Sequence, residues 1–183
     1  MNPSTLSSTL MAGLRFSIVG LAGFAPWVFG AGKFNSTTSL YLACALPFFA
    51  LGGLALYPDV RGRLSLGKSY LLFFAAFFAF AAGWCLIYLT IHGKHGEVFG
   101  ALLGTASLCL VLRSTFGKKG KFLEALGVVF TLFTIGYFLG DWLFYVAIPR
   151  SHAAWGQLAW GICFGFGFGA GLGWLARDSC KAS

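Results

Sequence analysis

Trp160-Gly161-Ile162-Cys163-Phe164-Gly165-Phe166-Gly167-Phe168-Gly169-Ala170-Gly171-Leu172-Gly173-Trp174 decides how the rest of the chain reads. As a strand, the stretch alternates glycine and aromatic residues with period two. As a helix, it carries Gly161, Gly165, Gly169 and Gly173 at strict i+4 spacing, three overlapping GxxxG units. It sits within an apolar run, residues 153–176, and about twenty such residues cross a bilayer as a helix. A lone strand in lipid would leave its backbone N–H and C=O groups without partners, so the helix is the physically admissible form. In water each glycine would weaken that helix by roughly 0.5–1 kcal/mol relative to alanine. In a bilayer the loss is offset where small residues let another helix approach closely. The i+4 row drifts by about a third of a turn from Gly161 to Gly173, and Gly167 and Gly171 form a second groove on roughly the opposite side. A helix grooved on two sides is expected to have neighbours on both.

Working outward, the whole chain has the same character. Of its 183 residues 58% are hydrophobic and only 10% are charged, where soluble domains carry about a quarter charged. An all-α integral membrane protein is expected, with one domain over residues 1–183 because no segment outside the spans is long enough for a separate soluble core. Four of the five cysteines (Cys44, Cys85, Cys109, Cys163) lie in apolar runs, and Cys180 lies in the polar tail. No CxxC spacing suggests zinc or a disulfide framework, so they read as small core residues.

Residues 1–13 are rich in Ser and Thr and read as a disordered or interfacial leader. Six spans follow at about 14–32, 40–57, 70–91, 98–112, 122–148 and 153–176. The first contains Pro26. It reads as an uncleaved span because Arg15 is its only basic residue and no small-x-small cleavage site follows. Pro47 marks a kink within the second span, and Pro58-Asp59 is expected to end it. Phe73, Phe74, Phe77, Phe78 and Phe80 ring most of the third. His92-Gly93-Lys94-His95-Gly96 is expected to form a tight turn before the fourth, which is short and rich in small residues. The fifth span is the longest, and the glycine helix is the sixth.

Six spans place both termini on one side. With them lie Arg15, Arg61, Arg63, Lys68, Arg113, Lys118, Lys119, Lys121, Arg177 and Lys181; the opposite side holds Lys33, Lys94 and Arg150. Ten against three is a strong positive-inside asymmetry and makes both termini cytosolic. The net charge of +8 is then explained by topology and by attraction to anionic headgroups, and a nucleic-acid partner is not required.

Asp141 is the one acidic residue lodged in an apolar run, and a carboxylate there is a functional candidate by default. It lies about 10 Å of helix rise from the outer end of the fifth span. It either serves a ligand or pathway, or pairs structurally with Arg150 or His152. His92, His95 and His152 share the outer turns with Glu97, but His92-x-x-His95 falls in a glycine-rich turn rather than on a helix face, so they read as interfacial histidines, with no metal. Gln157 is expected to hydrogen-bond between helices. HExxH, GxSxG and P-loop motifs are absent, as are paired intramembrane carboxylates, and no enzyme and no cofactor are expected.

The order of features resembles the Insig (insulin-induced gene) family. Its last helix has a Trp, a Cys three residues later, then aromatics, glycines and a closing Arg, as in Trp160, Cys163, Phe164 and Phe166, Gly169 and Gly173, and Arg177. Leu56-Tyr57-Pro58-Asp59 with Arg61 is similar to the end of the family's second span, and Thr115-Phe116 with Lys118 and Lys119 to the start of its fourth loop. The likeness runs from Leu40 to Arg177 and fits a prokaryotic or divergent member. It implies a non-enzymatic membrane protein with a lipid-accessible cavity. Its ligand would be a sterol or diacylglycerol-like membrane lipid, and its partner another membrane protein or a second copy. The location would be the endoplasmic reticulum in a eukaryote or the cytoplasmic membrane in a prokaryote. The family's loop Asp after Thr-Phe is replaced by Gly117, and the long polar N-terminal extension of animal members is missing. Lipid binding is therefore expected to carry over, while these departures count against control of a sterol-sensing partner.

On this chain the residues expected to line the cavity are Trp84, Tyr88, Tyr137, Asp141, Trp142, Phe164 and Phe168, with Gly161, Gly165, Gly169 and Gly173 packing the final helix. The competing readings are a small transporter or channel subunit using Asp141, and a lipid-modifying enzyme using the outer histidines.

Overall fold

The computed structural model describes residues 3–116 and 121–178. Six α-helices account for nearly all of them: α1 (Pro3–Gly30), α2 (Thr37–Val60), α3 (Leu66–Ile91), α4 (Gly93–Phe116), α5 (Phe122–Trp142) and α6 (Ala153–Asp178). No strand occurs among the described residues. All six spans are long and apolar enough to cross a membrane, with α5 continuing through Ala147. Gly117, Lys118, Lys119, Cys180 and Lys181, which entered the charge, cysteine and resemblance readings, lie outside the described residues.

The helices form a closed ring. Each packs against its chain neighbour, and the α1–α6 contact, the most extensive of all, joins the ends. Pairing is antiparallel throughout. Arg15 on α1 meets Asp59 on α2, Gly52 on α2 meets Phe73 on α3, Phe80 on α3 meets Gly104 on α4, and Gly136 on α5 meets Gly167 on α6. The sixth helix is the most enclosed, with 61% of its span buried against 22–44% for the others.

Glycine explains how close the seams are. Along α6, Gly161, Gly165, Gly169 and Gly173 face Gly20, Phe16 and Ala12 of α1, while Gly167 and Gly171 face Leu132, Gly136 and Val129 of α5. A methyl group on Gly165 would overlap the Phe16 carbonyl oxygen, and one on Gly167 the Leu132 carbonyl oxygen. On the α3–α4 seam, a methyl on Gly104 would stand 2.8 Å from the Phe80 carbonyl oxygen. Lipid tails are as apolar as leucine, so such backbone proximity, with its dispersion contacts, replaces the hydrophobic drive that packs soluble cores.

Phenylalanine fills the middle of the ring. Phe16, Phe48, Phe73, Phe80, Phe133 and Phe168 are buried. The Phe168 ring lies 5.7 Å from Phe80, 5.8 Å from Phe77 and 6.0 Å from Phe16, and stacks on Phe164 at 5.8 Å. Aromatic pairs at such distances contribute about 0.5–1.5 kcal/mol each beyond their buried area. The outside of the ring carries large exposed apolar residues, among them Ile18, Leu46, Leu71, Phe78 and Leu123. A belt of that kind suits lipid rather than water. Phe74 and Phe78 point outward from α3 while Phe73 and Phe80 point inward, so the third span divides its aromatics between lipid and core.

Several element ends differ from the sequence expectation. The leader is helical from Pro3, and Ser8, Thr9 and Ala12 are buried, because the C-terminal end of α6 gives them a packing surface: Gly173 meets Ala12. Pro58 does not end α2, which runs to Val60; one missing N–H in the last turn costs little where few hydrogen bonds remain to lose. Residues 92–96 are not a turn. His92 caps α3 with φ 57°, Gly93 follows with φ 67°, and α4 begins at once. At the end of the fifth span the α-helix stops at Trp142 and Leu143–Ala147 forms a wider π-type turn. Polar caps lengthen other helices beyond their apolar cores, as at Ser36 and Ser39, whose side chains each bond the other's backbone N–H at the start of α2.

Candidate functional site

The single-residue reversal at His92 sets the first turn of α4 against the last turns of α3 and α5. Trp84 and Tyr88 lie one turn apart on α3 and stack with ring centres 4.6 Å apart. Lys94 and Glu97 come from the start of α4, Tyr137 and Asp141 from successive turns of α5. The π-type turn adds Tyr145 and Val146, and Trp160 of α6 closes the back. These side chains line a recess of about 530 Å³.

Its polar end is built around one ammonium group. Lys94 Nζ donates to Asp141 Oδ2 at 2.8 Å and to Glu97 Oε2 at 3.1 Å, and stands 5.6 Å from the Phe138 ring. The carboxylate side chains are 15% and 16% exposed, whereas that of lysine is 63% exposed. The charges lining the recess are one cation against two carboxylates. Asp141 is thus ion-paired, but with Lys94 rather than with Arg150 or His152, because α4 begins at Gly93, five residues before the expected start of the fourth span.

Trp160 has room only because Gly140 faces it; any side chain there would overlap the indole. Phe144 stacks on Trp160 at 5.7 Å, and Tyr137 and Tyr145 stand 5.8 and 6.1 Å away. The indole N–H is buried and has no hydrogen-bond acceptor. A buried donor without a partner costs about 1–3 kcal/mol.

Four of the seven predicted lining residues, Trp84, Tyr88, Tyr137 and Asp141, meet here. The other three do not. Trp142 is 51% exposed, one residue round the helix from Asp141 and off the recess. Phe168 is buried in the central aromatic cluster. Phe164 lines a different, smaller hollow of about 230 Å³ with Phe48, Phe49 and Phe77. Lys94, Glu97, Tyr145 and Trp160 complete the recess without having been singled out for it. Lys94 and Glu97 carried a signal, an i,i+3 opposite-charge pair, which a reading of residues 92–96 as a turn hides.

A second polar cluster joins the middle of α1 to the C-terminal end of α2. Arg15 donates through Nε to the Ala55 carbonyl oxygen at 3.1 Å and pairs through Nη2 with Asp59. The Asp59 side chain is 3% exposed and that of Arg15 28%; Arg177 acts electrostatically on the same carboxylate. Asp59 is therefore a more deeply buried acid than Asp141. Among the described residues no three His, Cys, Asp or Glu side chains stand together as a metal site would require.

Six apolar helices and an outward belt of large hydrophobics define an integral multi-pass membrane protein. Comparison with known families, curated proteins and solved structures finds no match for the chain.

Proposed function

We propose that the protein is a non-enzymatic, Insig-like lipid-binding protein, that both termini are cytosolic, and that its lipid enters the recess between α3–α4 and α5–α6. The observation that carries this reading is the recess itself: about 530 Å³, walled by Trp84, Tyr88, Tyr137, Tyr145 and Trp160, with charged groups at one end. A largely apolar hollow with a few convergent polar groups is the usual form of a small-molecule site, and the amphiphile that suits it has a headgroup and a chain. A membrane lipid of sterol or diacylglycerol-like type meets that requirement.

Its position supports a mechanism. The α4–α5 contact is the least extensive of the six seams in the ring, and the Lys94–Asp141 pair spans it at 2.8 Å. Occupancy of the recess would shift the equilibrium between a clasped and a parted seam, and a protein partner reading the outer surface of α4 or α5 would respond to it. A second reading, in which Asp141 moves ions or protons, draws on the same carboxylate; its engagement by Lys94 favours a clasp over a free ion-binding group.

Lipid extracted from the purified protein and identified by mass spectrometry tests the proposal. One lipid class is expected at about one per chain, with Tyr137→Ala and Trp160→Ala retaining several-fold less. No retained lipid, together with a proton-coupled flux in liposomes that Asp141→Asn abolishes, would replace lipid binding with transport.

A further inference from the structure

We infer that the recess selects an amphiphile with a cationic, amine-type headgroup, and that the Lys94 ammonium is a tethered stand-in for it. The inference rests on reading the recess as a lipid site and concerns the headgroup that site prefers.

The charge balance is the first observation. Lys94 is shared between Asp141 and Glu97, at 2.8 and 3.1 Å, so the lining keeps one carboxylate's worth of negative charge unneutralised. An anionic headgroup would meet that excess with the ammonium already engaged twice. The second observation is the wall. The stacked Trp84–Tyr88 pair, Tyr137, Tyr145 and Trp160 line the same recess as the charged groups, and aromatic faces attract a cation held within about 6 Å of the ring centre. Lys94 already makes such an approach, 5.6 Å from the Phe138 ring.

The third observation is the difference in exposure within the ion cluster. The carboxylates are 15% and 16% exposed; the lysine side chain is 63% exposed. A four-carbon stem in contact with solvent can swing outward, leaving its two carboxylates in place. An incoming ammonium would then occupy the vacated position between Asp141 and Glu97, with its chain running along the aromatic wall. Lys94 thereby holds the carboxylates apart and neutralised while no ligand is bound, and competes with the ligand at a fixed effective concentration.

Three probes sharing one eighteen-carbon chain, oleylamine, 1-monooleoylglycerol and oleate, test the headgroup directly. Each is added to the full chain in maltoside micelles, and bound ligand is counted by native mass spectrometry. Partition into the micelle is common to all variants, so variant differences are the readout. Oleylamine is expected to be retained about tenfold over monooleoylglycerol, as one paired charge and one cation–π contact supply. Asp141→Asn and Glu97→Gln should each erase most of that preference. Lys94→Met should instead raise amine retention several-fold, an outcome that loss of folding cannot mimic. Equal retention of amine and monooleoylglycerol, or a preference for oleate, overturns the headgroup inference while leaving the lipid site intact. A fall in amine retention with Lys94→Met overturns the stand-in role. Failure of wild type to retain any of the three removes the lipid site and this inference with it.

Discussion

At the scale of single residues, the buried Arg15–Asp59 pair shows how a charge is kept inside an apolar bundle. Asp59 is almost wholly enclosed, and Arg15 satisfies both it and the Ala55 carbonyl oxygen. Removing one member of a buried pair typically costs about 3–5 kcal/mol, since the survivor is left charged and unpaired. Arg15 is partly exposed and Arg177 also acts on Asp59, so about 2–3 kcal/mol is expected for Arg15→Met. In a chain of this size that lowers the unfolding midpoint in micelles by about 4–12 °C. The double variant Arg15→Met, Asp59→Leu should regain most of the loss, because replacing both partners by apolar groups removes the orphan. An Arg15→Met midpoint within a degree of wild type would mean that the pair contributes nothing to stability. Asp59 escapes a reading of the sequence because it follows Pro58, and proline ordinarily ends a helix. Asp141 attracts notice because its neighbours are apolar, yet the residue that neutralises it lies 47 positions away, beyond the reach of any local pattern.

At the scale of elements, glycines that look alike in the sequence do different jobs. Gly165 sits where a methyl group would overlap the Phe16 carbonyl oxygen, a backbone atom that cannot rotate aside. Gly165→Ala is therefore expected to push α1 off α6 and cost about 2 kcal/mol or more, in the range of overpacking changes. Gly165→Leu should abolish ring closure and lipid retention together. Gly127 lies inside α5 with nothing within 4 Å of the added methyl. There alanine should leave stability unchanged or raise it by up to about 1 kcal/mol through helix propensity. Thermal midpoints of the two alanine variants, measured side by side, decide the matter: equal shifts would show that close approach is not what the α6 glycines provide. Hydropathy marks six helices, and six stand in the structure, but the first four run three to eleven residues past the expected ends at one or both termini, while α1 stops two residues short at its other end. The reason is that helices continue into polar or Ser/Thr-rich sequence wherever caps or a neighbouring helix support them. The i+4 glycine row says that a groove exists; it carries no information on which helix fills it.

At the scale of the molecule, the two polar clusters lie at opposite ends of the ring. Arg15, Asp59 and Arg177 lie at the end shared with the termini, and Lys94, Glu97 and Asp141 at the other. Antiparallel pairing through all six helices forces the termini to one face, and the excess of basic residues there argues for the cytosol. On that orientation the recess lies toward the non-cytosolic leaflet, the one from which the proposed lipid would enter. Orientation can be read with single cysteines on a background lacking the five native ones. Asn35 lies in the exposed connection between α1 and α2, and Gly62 in the exposed turn between α2 and α3, where a side chain meets nothing within 4 Å. A membrane-impermeant maleimide applied to intact cells should label Asn35→Cys and leave Gly62→Cys unlabelled until the membrane is permeabilised. The reverse pattern would invert the protein and open the recess toward the cytosolic leaflet. Labelling of both in intact cells would break the six-span count itself. Because two positions flanking one helix must respond oppositely, α2 alone is enough to orient the ring, and with it the leaflet toward which the recess lies.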